Sequence, residues 1–209
     1  MLDDGLPIRP GDLPQALQAA LVLLRARHAP ILPRMGRLDG WRYCPRCAAP
    51  LAAAPGRAGC AACGFVTWAN AAPTASALLE DADGRILLGR RARAPFRGLW
   101  DTPGGFLEED EHPLEALVRE VREETGLEVV PGAYVGCWLD TYEQEGAGQL
   151  HTLNLYWRVR IIGERGDPVP ADDVAELAWF ARDALPARHE LAFDCVPRAL
   201  EAWKALSPG

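Results

Sequence analysis

Gly105-Phe-Leu-Glu-Glu-Asp-Glu111-His-Pro113-Leu-Glu-Ala-Leu-Val-Arg119-Glu120-Val-Arg-Glu123-Glu124-Thr-Gly126-Leu127 is the stretch on which the reading of this chain turns. Proline suits the first helical turn and glycine the position just past the last, so a helix is predicted over residues 113–125. Leu114, Leu117 and Val121 recur at helical spacing and form its buried face. Glu120, Glu123 and Glu124 fall at i, i+3 and i+4, so their carboxylates converge on another face. Each like-charge pair at this spacing costs roughly 0.2–0.5 kcal/mol in solvent, and more under partial burial, where the effective dielectric falls. A solvated acidic face has the same spacing, but here Gly104-Gly105 lets the backbone approach an ion closely and Glu111 sits in the loop before the helix. A divalent cation converts the repulsion into a site, and an all-oxygen donor set suits Mg²⁺ or Mn²⁺. Arg119 lies four residues before Glu123 and four after Glu115, placed to hold a carboxylate through a bidentate pair.

Working outward, residues 74–79 and 85–91 read as strands joined by the turn at 81–84. Further strands are expected at 133–142, 150–162 and 175–180, with a polar turn at 143–149 and a last helix over about 194–205. The class is α+β. Upstream, residues 41–70 lack the large apolar side chains a core needs, but they carry Cys44-Pro-Arg-Cys47 and Cys60-Ala-Ala-Cys63. Two such pairs present four thiolates to one ion in a closed tetrahedral site, so structural Zn²⁺ is expected at Cys44, Cys47, Cys60 and Cys63. Gly64 eases the tight backbone after the second pair, whereas Ala48 occupies that position after the first. Disulfides would need an oxidising compartment, and idle thiols seldom fall in paired spacing. Cys137 and Cys195 stand alone and are expected to be buried structural thiols.

Residues 1–40 hold one predicted helix, over 12–27, with Leu13, Leu17, Ala20, Leu21 and Leu24 along one face. That stripe would pack on the main domain or on a second subunit; in the second case the helix or the ribbon would form a homodimer. Three regions follow: an N-terminal extension at 1–40, a zinc ribbon at 41–70 and a main domain at 71–209. Of 209 residues, 49% are hydrophobic and 24% charged, which is globular composition. The net charge of -7 argues against a nucleic-acid partner, which calls for cationic surface. No apolar run approaches the roughly 20 residues of a membrane helix, so no membrane partner is expected. The N-terminus lacks the cationic start of a secretory signal, so a cytoplasmic location is expected.

Gly105, Glu111, Arg119, Glu120, Val121, Glu123, Glu124, Gly126 and Leu127 fill every fixed position of the pattern G-x5-E-x7-R-E-U-x-E-E-x-G-U, where U is a bulky aliphatic residue. On these residues the chain resembles the Nudix hydrolases. Trp100-Asp-Thr-Pro-Gly-Gly-Phe106 resembles the lead-in to that motif, Ala178-Trp-Phe180 the family's late strand, and the cysteine module its zinc-ribbon branch. The resemblance implies an α/β/α sandwich around a mixed sheet, preceded here by the ribbon and the N-terminal helix. It implies Mg²⁺ on Glu120, Glu123 and Glu124 with the Gly105 carbonyl, Arg119 orienting Glu123 or a neighbour, and Glu111 supporting the cluster. It implies in-line attack of a metal-bound water on a diphosphate. Glu120 or Glu123 would accept the proton, with Glu143 and Glu145 as alternatives on a later turn.

Arg85, Arg90, Arg91, Arg93 and Arg97 form an acid-free cationic segment, of which Arg91 and Arg97 are the candidate substrate contacts. Trp68, Phe96, Trp100, Tyr142 and Trp157 are candidates for stacking on a base or for the core. The NADH pyrophosphatases carry S-Q-P-W-P-F-P-x-S after the motif; residues 134–142 here lack it. Leu191-Ala-Phe193 resembles the ADP-ribose/FAD type instead. The expected substrate is therefore a small nucleotide-linked diphosphate, ADP-ribose or FAD first. The alternatives are a (d)NTP or NADH pyrophosphatase, or a non-catalytic nucleotide sensor.

Overall fold

A computed structural model describes residues 37–144, 148–162 and 166–206. The predicted helix over 12–27 lies outside them. Strands β1 (Ala52–Ala54), β2 (Arg57–Gly59) and β3 (Val66–Trp68) form a small antiparallel sheet in order β1-β2-β3. After it come β4 (Ala72–Leu79), β5 (Ile86–Arg91), β6 (Trp100–Asp101), β7 (Gly104–Phe106) and helix α1 (Pro113–Thr125). The chain closes with β8 (Val129–Gln144), β9 (Gly148–Ile161), β10 (Val174–Phe180) and helix α2 (Cys195–Lys204).

The central sheet is mixed, in order β7-β4-β9-β8, with β4 parallel to β9 and the other pairs antiparallel. A second sheet runs β10-β5-β6. The turn at 81–84 does join β4 to β5, but after one bridge between Glu80 and Ile86 the two strands enter different sheets.

Six successive residues of β4 are buried, as expected of a strand covered on both faces. Its alternation sends Ala75, Ala77 and Leu79 into one core with Leu117 and Val121 of α1, and Leu78 into another with Val196, Leu200 and Trp203 of α2. The two helices thus sandwich the strands. Helix α1 begins with a capping box: His112 Nδ1 accepts from Leu114 N, and the Glu115 carboxylate accepts from His112 N. It ends at Gly126 in the left-handed conformation, φ 70°. Helix α2 is capped from a distance, because Asp140 of β8 accepts from Cys195 N at 2.6 Å.

Candidate active site

The carboxylate cluster is built where α1 passes β7. Glu124 Oε2 accepts from Gly104 N at 2.9 Å. A Cβ on Gly105 would lie 2.5 Å from the Glu120 carboxylate, and one on Gly104 would lie 2.3 Å from the Ala75 carbonyl oxygen. Two glycines are therefore what lets the glutamates reach across the strand. Arg119 ties the cluster together, donating Nε and Nη2 to Glu111 at 2.8 and 2.9 Å. Its Nη1 donates to Glu120 at 2.8 Å and Glu123 at 3.1 Å, and Nη2 also reaches the Phe106 carbonyl. The Arg119 guanidinium holds the Glu111 carboxyl down at about 2. Burial pushes Glu120 upward and Glu124 well upward, with neighbouring carboxylates adding to the rise at both. Glu124 is only 7% exposed, so its carboxylate sits nearly out of water with a single backbone donor. Such a group fits a hard cation, and the donor set is all oxygen.

Glu120, Glu124 and Gly105 line a pocket of about 240 Å³, whereas Glu123 and Glu111 are not among its lining residues and are held by Arg119. Arg91 also lines the pocket, but Arg97 is exposed and is not among its lining residues. The cationic segment is mostly committed within the fold. Arg85 pairs with Asp81, Arg90 with Glu176, Arg91 with Asp101 and Arg93 with Asp172. Glu143 lies on strand β8, exposed, and accepts from Gln149, while Glu145 falls outside the described residues. Of the five aromatic candidates Tyr142 lines the pocket; Trp100 is buried in the core on the α2 side, Trp157 packs against the core on the α1 side, and Trp68 and Phe96 are exposed.

Several pocket residues escape a reading of the chain in one dimension. Thr74, Ser76, Thr152 and Asn154 form its floor, and Asp101, Asp172 and Asp173 its acidic side. The floor did leave a signal. Thr74 and Ser76 alternate with Ala75 and Ala77, and Thr152 and Asn154 alternate with Leu153 and Leu155, so polar groups share one sheet face. Leu191-Ala-Phe193 anchors beneath Trp100, whose carbonyl accepts from Ala192 N at 2.8 Å, and projects Phe193 into the pocket.

In the ribbon the sulfurs of Cys44 and Cys63, and of Cys47 and Cys60, are 3.6 Å apart, and all four lie within 4.8 Å of one another. Tetrahedral zinc with Zn–S near 2.3 Å has edges of about 3.8 Å, so the cluster is compatible with that ion. Cys195 is buried and its Sγ accepts from the Tyr156 hydroxyl, as expected of a structural thiol. Cys137 corrects the expectation. It is exposed on edge strand β8, on the face opposite Trp138, where no described element covers it.

Residues 71–198 match the NUDIX domain, and the chain belongs to the Nudix hydrolase family. The NAD-capped RNA hydrolase NudC of Pseudomonas fluorescens is 34% identical over 150 residues, 69% of this chain and 50% of that protein. The ADP-ribose pyrophosphatase of Methanocaldococcus jannaschii is 36% identical over 112 residues, 54% of this chain and 62% of that protein. The chain thus spans about half of the first relative and three fifths of the second. The crystal structure of a NUDIX hydrolase from Nitrosomonas europaea shares the fold, with a TM-score of 0.63 at 21% identity over 78% of this chain and 90% of that one. Among the described residues no helix is long and apolar enough to cross a membrane.

Proposed function

We propose that this chain hydrolyses the diphosphate bond of a nucleoside diphosphate linked to a second group, ADP-ribose or FAD before others, giving a nucleoside monophosphate and a phosphorylated partner. The observation that carries this reading is the Glu120–Glu124 pair, half-buried and buried respectively, packed against Gly104-Gly105 and lining a pocket. Glu120, Glu123, Glu124 and the Gly105 carbonyl would hold Mg²⁺ or Mn²⁺. When bound, such an ion neutralises diphosphate charge and acidifies a water. Arg119 keeps Glu120 and Glu123 turned toward one another while Glu111 fixes Arg119 itself. Glu120 lines the pocket and Glu123 does not, which favours Glu120 as proton acceptor. Arg91 lines the pocket while paired with Asp101 and would meet the substrate from that position; Arg97, exposed and outside the lining, has no such support.

Cys44, Cys47, Cys60 and Cys63 would hold structural Zn²⁺ in a ribbon at 41–70, between an N-terminal extension at 1–40 and the hydrolase domain at 71–209. A homodimer in the cytoplasm without a nucleic-acid partner completes the proposal, and a monomer by light scattering at micromolar concentration would remove the dimer. A second reading, an NAD-type dinucleotide as substrate, is favoured by the likeness to NudC and opposed by the missing motif after Leu127.

The test is a chromatographic screen with Mg²⁺ against ADP-ribose, FAD, NADH, ADP-glucose and the dNTPs, with Glu124→Gln as blank. Turnover of a diphosphate-linked compound to a nucleoside monophosphate supports the proposal. Turnover of none by folded, zinc-loaded protein would favour a nucleotide sensor instead.

A further inference from the structure

The sheet face under α1 is covered at one side and open at the other. Rows of paired residues cross it from β4 through β9 to β8. The row Ala75–Leu155–Cys137 passes from buried through half-buried to exposed, and so does the row Ala77–Trp157–Tyr134. In the row Pro73–Leu153–Leu139 both ends are exposed. Helix α1 thus seals the β4 side and leaves an apolar strip on β8, where Tyr134 and Leu139 are 52% and 63% exposed. Cys137 stands between them, also exposed.

Strand β8 ends the sheet, and no described strand pairs with its outer edge. Folded proteins usually guard such an edge with charge, proline or bulges. Here Pro131 and two register shifts guard the part before Gly136, but from there to Gln144 the ladder is regular. Asp140 is the only charged residue between Val129 and Tyr142. Its carboxylate is already engaged, accepting from Cys195 N at 2.6 Å and from Thr141 N at 2.7 Å. On a chain of net charge -7, this strip is therefore a surface that two copies can bring together without repulsion. A two-fold contact also needs a patch that complements itself. An antiparallel edge meets that condition, because it can pair with its own copy.

We infer that β8 is a homodimer interface, pairing antiparallel with β8 of a second copy about an axis at Leu139. The side-chain period admits only pairings that keep each face together. An axis at Asp140 sets two carboxylates opposite each other, and an axis at Trp138 shortens the regular pairing to residues 136–140. The axis at Leu139 avoids both. Residues 136–142 then pair regularly, Leu139 meets the partner's Leu139, and Cys137 meets the partner's Thr141. Tyr142, which lines the candidate active site, stands opposite the partner's Gly136. The inference rests on the homodimer proposed above, to which it assigns an interface, and is independent of the hydrolase chemistry.

Gel filtration with light scattering on the full, zinc-loaded chain tests it. At micromolar concentration the unaltered chain should be a dimer. Leu139→Lys should raise the dissociation constant on the order of 10²-fold or more, giving monomer with an unchanged circular dichroism spectrum. Cys137→Lys, at a second exposed position, should act in the same direction and serves if Leu139→Lys does not fold. Hydrogen exchange needs no variant: amides within 136–142 should exchange faster as the dimer is diluted, and those of the β4–β9 pairing should not. A dimer that survives both substitutions, or whose 136–142 amides ignore dilution, overturns this interface and leaves a homodimer held by another surface. An unaltered chain that is monomeric at micromolar concentration overturns the interface and the homodimer together.

Discussion

The ribbon cysteines and the α1 glutamates both crowd acidic side chains within a few ångströms, and they reach that crowding by different routes. Each cysteine pair is gathered by a local turn, in which Ala48 N donates to Cys44 O and Gly64 N to Cys60 O, inside a segment with little apolar material. Four sulfurs close around one point and leave no room for a substrate. The glutamates are presented by a helix whose opposite face is fixed by Leu117 and Val121 in a core that the sheet already stabilises. Their cluster stays open on one side, toward the pocket. The ribbon cluster would therefore depend on an ion to fold, whereas the glutamate cluster is held by the fold and would receive an ion on its open side.

The largest effect that tests this contrast is loss of the ribbon ion. Cys60→Ser should abolish zinc binding, forfeiting folding free energy on the order of 10 kcal/mol in the segment that has no core of its own. Zinc content by plasma emission and proteolysis within residues 41–70 would report it, and the β4–β9 sheet should persist by circular dichroism. A variant that kept one zinc per chain and resisted protease would remove the four-ligand assignment. Glu124→Gln should act in the opposite sense. Turnover should fall by on the order of 10²–10³ or more, while the fold survives, because the glutamine oxygen still accepts from Gly104 N. Near-normal rates from both Glu124→Gln and Glu123→Gln would show that the cation is held elsewhere.

The third effect is a pH dependence. Burial raises the Glu120 and Glu124 carboxyls, so the folded metal-free protein keeps protons that the unfolded chain has already released above about pH 4.3. That stabilising contribution is full below the unfolded pKa and is lost as pH rises through the folded values. Glu111 runs the other way: held at about 2 by Arg119, it contributes above the ordinary glutamate range and loses that contribution as pH falls toward 2. In magnesium-free buffer with zinc in place, Tm should decline from pH 5 toward 8. Added Mg²⁺ should recover a growing share, about 2.7 kcal/mol at a hundredfold excess over Kd. A magnesium increment independent of pH would mean that the raised carboxyls are not the ion's ligands.

What could be read in the chain follows the same division between local and long-range order. Helix α1, its stop at Gly126 and the two cysteine turns depend on residues a few positions apart, and their spacing was sufficient. The parallel pairing of β4 with β9 joins residues some eighty positions apart, and no local pattern encodes it. Arg91 read as free to meet a substrate because its ion pairs depend on strand pairing: Asp101 lies on the neighbouring strand β6, and Asp173 just ahead of β10. Cys137 was misjudged because strand periodicity gives the face a side chain lies on but not whether another element packs over it at that point, and at Cys137 the side chain is exposed. The pocket floor lay between these cases. Its alternation was visible, but alternation marks a pocket only once the helices are known to cover the rest of that face.

The smallest predicted effect compares the two cysteine turns with each other. Ala48 and Gly64 occupy equivalent positions and both are left-handed, with φ 60° and 74°. Glycine adopts that conformation freely, whereas a residue with a Cβ is strained there by roughly 1–2 kcal/mol. Ala48→Gly relieves the strain but adds freedom to the unfolded chain, worth about 0.4–1 kcal/mol, so a net gain of about 0.5 kcal/mol in the zinc-loaded protein is expected. Gly64→Ala should lose about as much or slightly more. A Cβ there meets nothing within 4 Å, which leaves backbone strain as the sole cost. Chelator competition at equilibrium would resolve the pair: Ala48→Gly should release zinc at higher chelator concentration than wild type, and Gly64→Ala at lower. Equal shifts of the same sign would mean that the two turns are not equivalent supports of one tetrahedral site, and the symmetry drawn between them would fail.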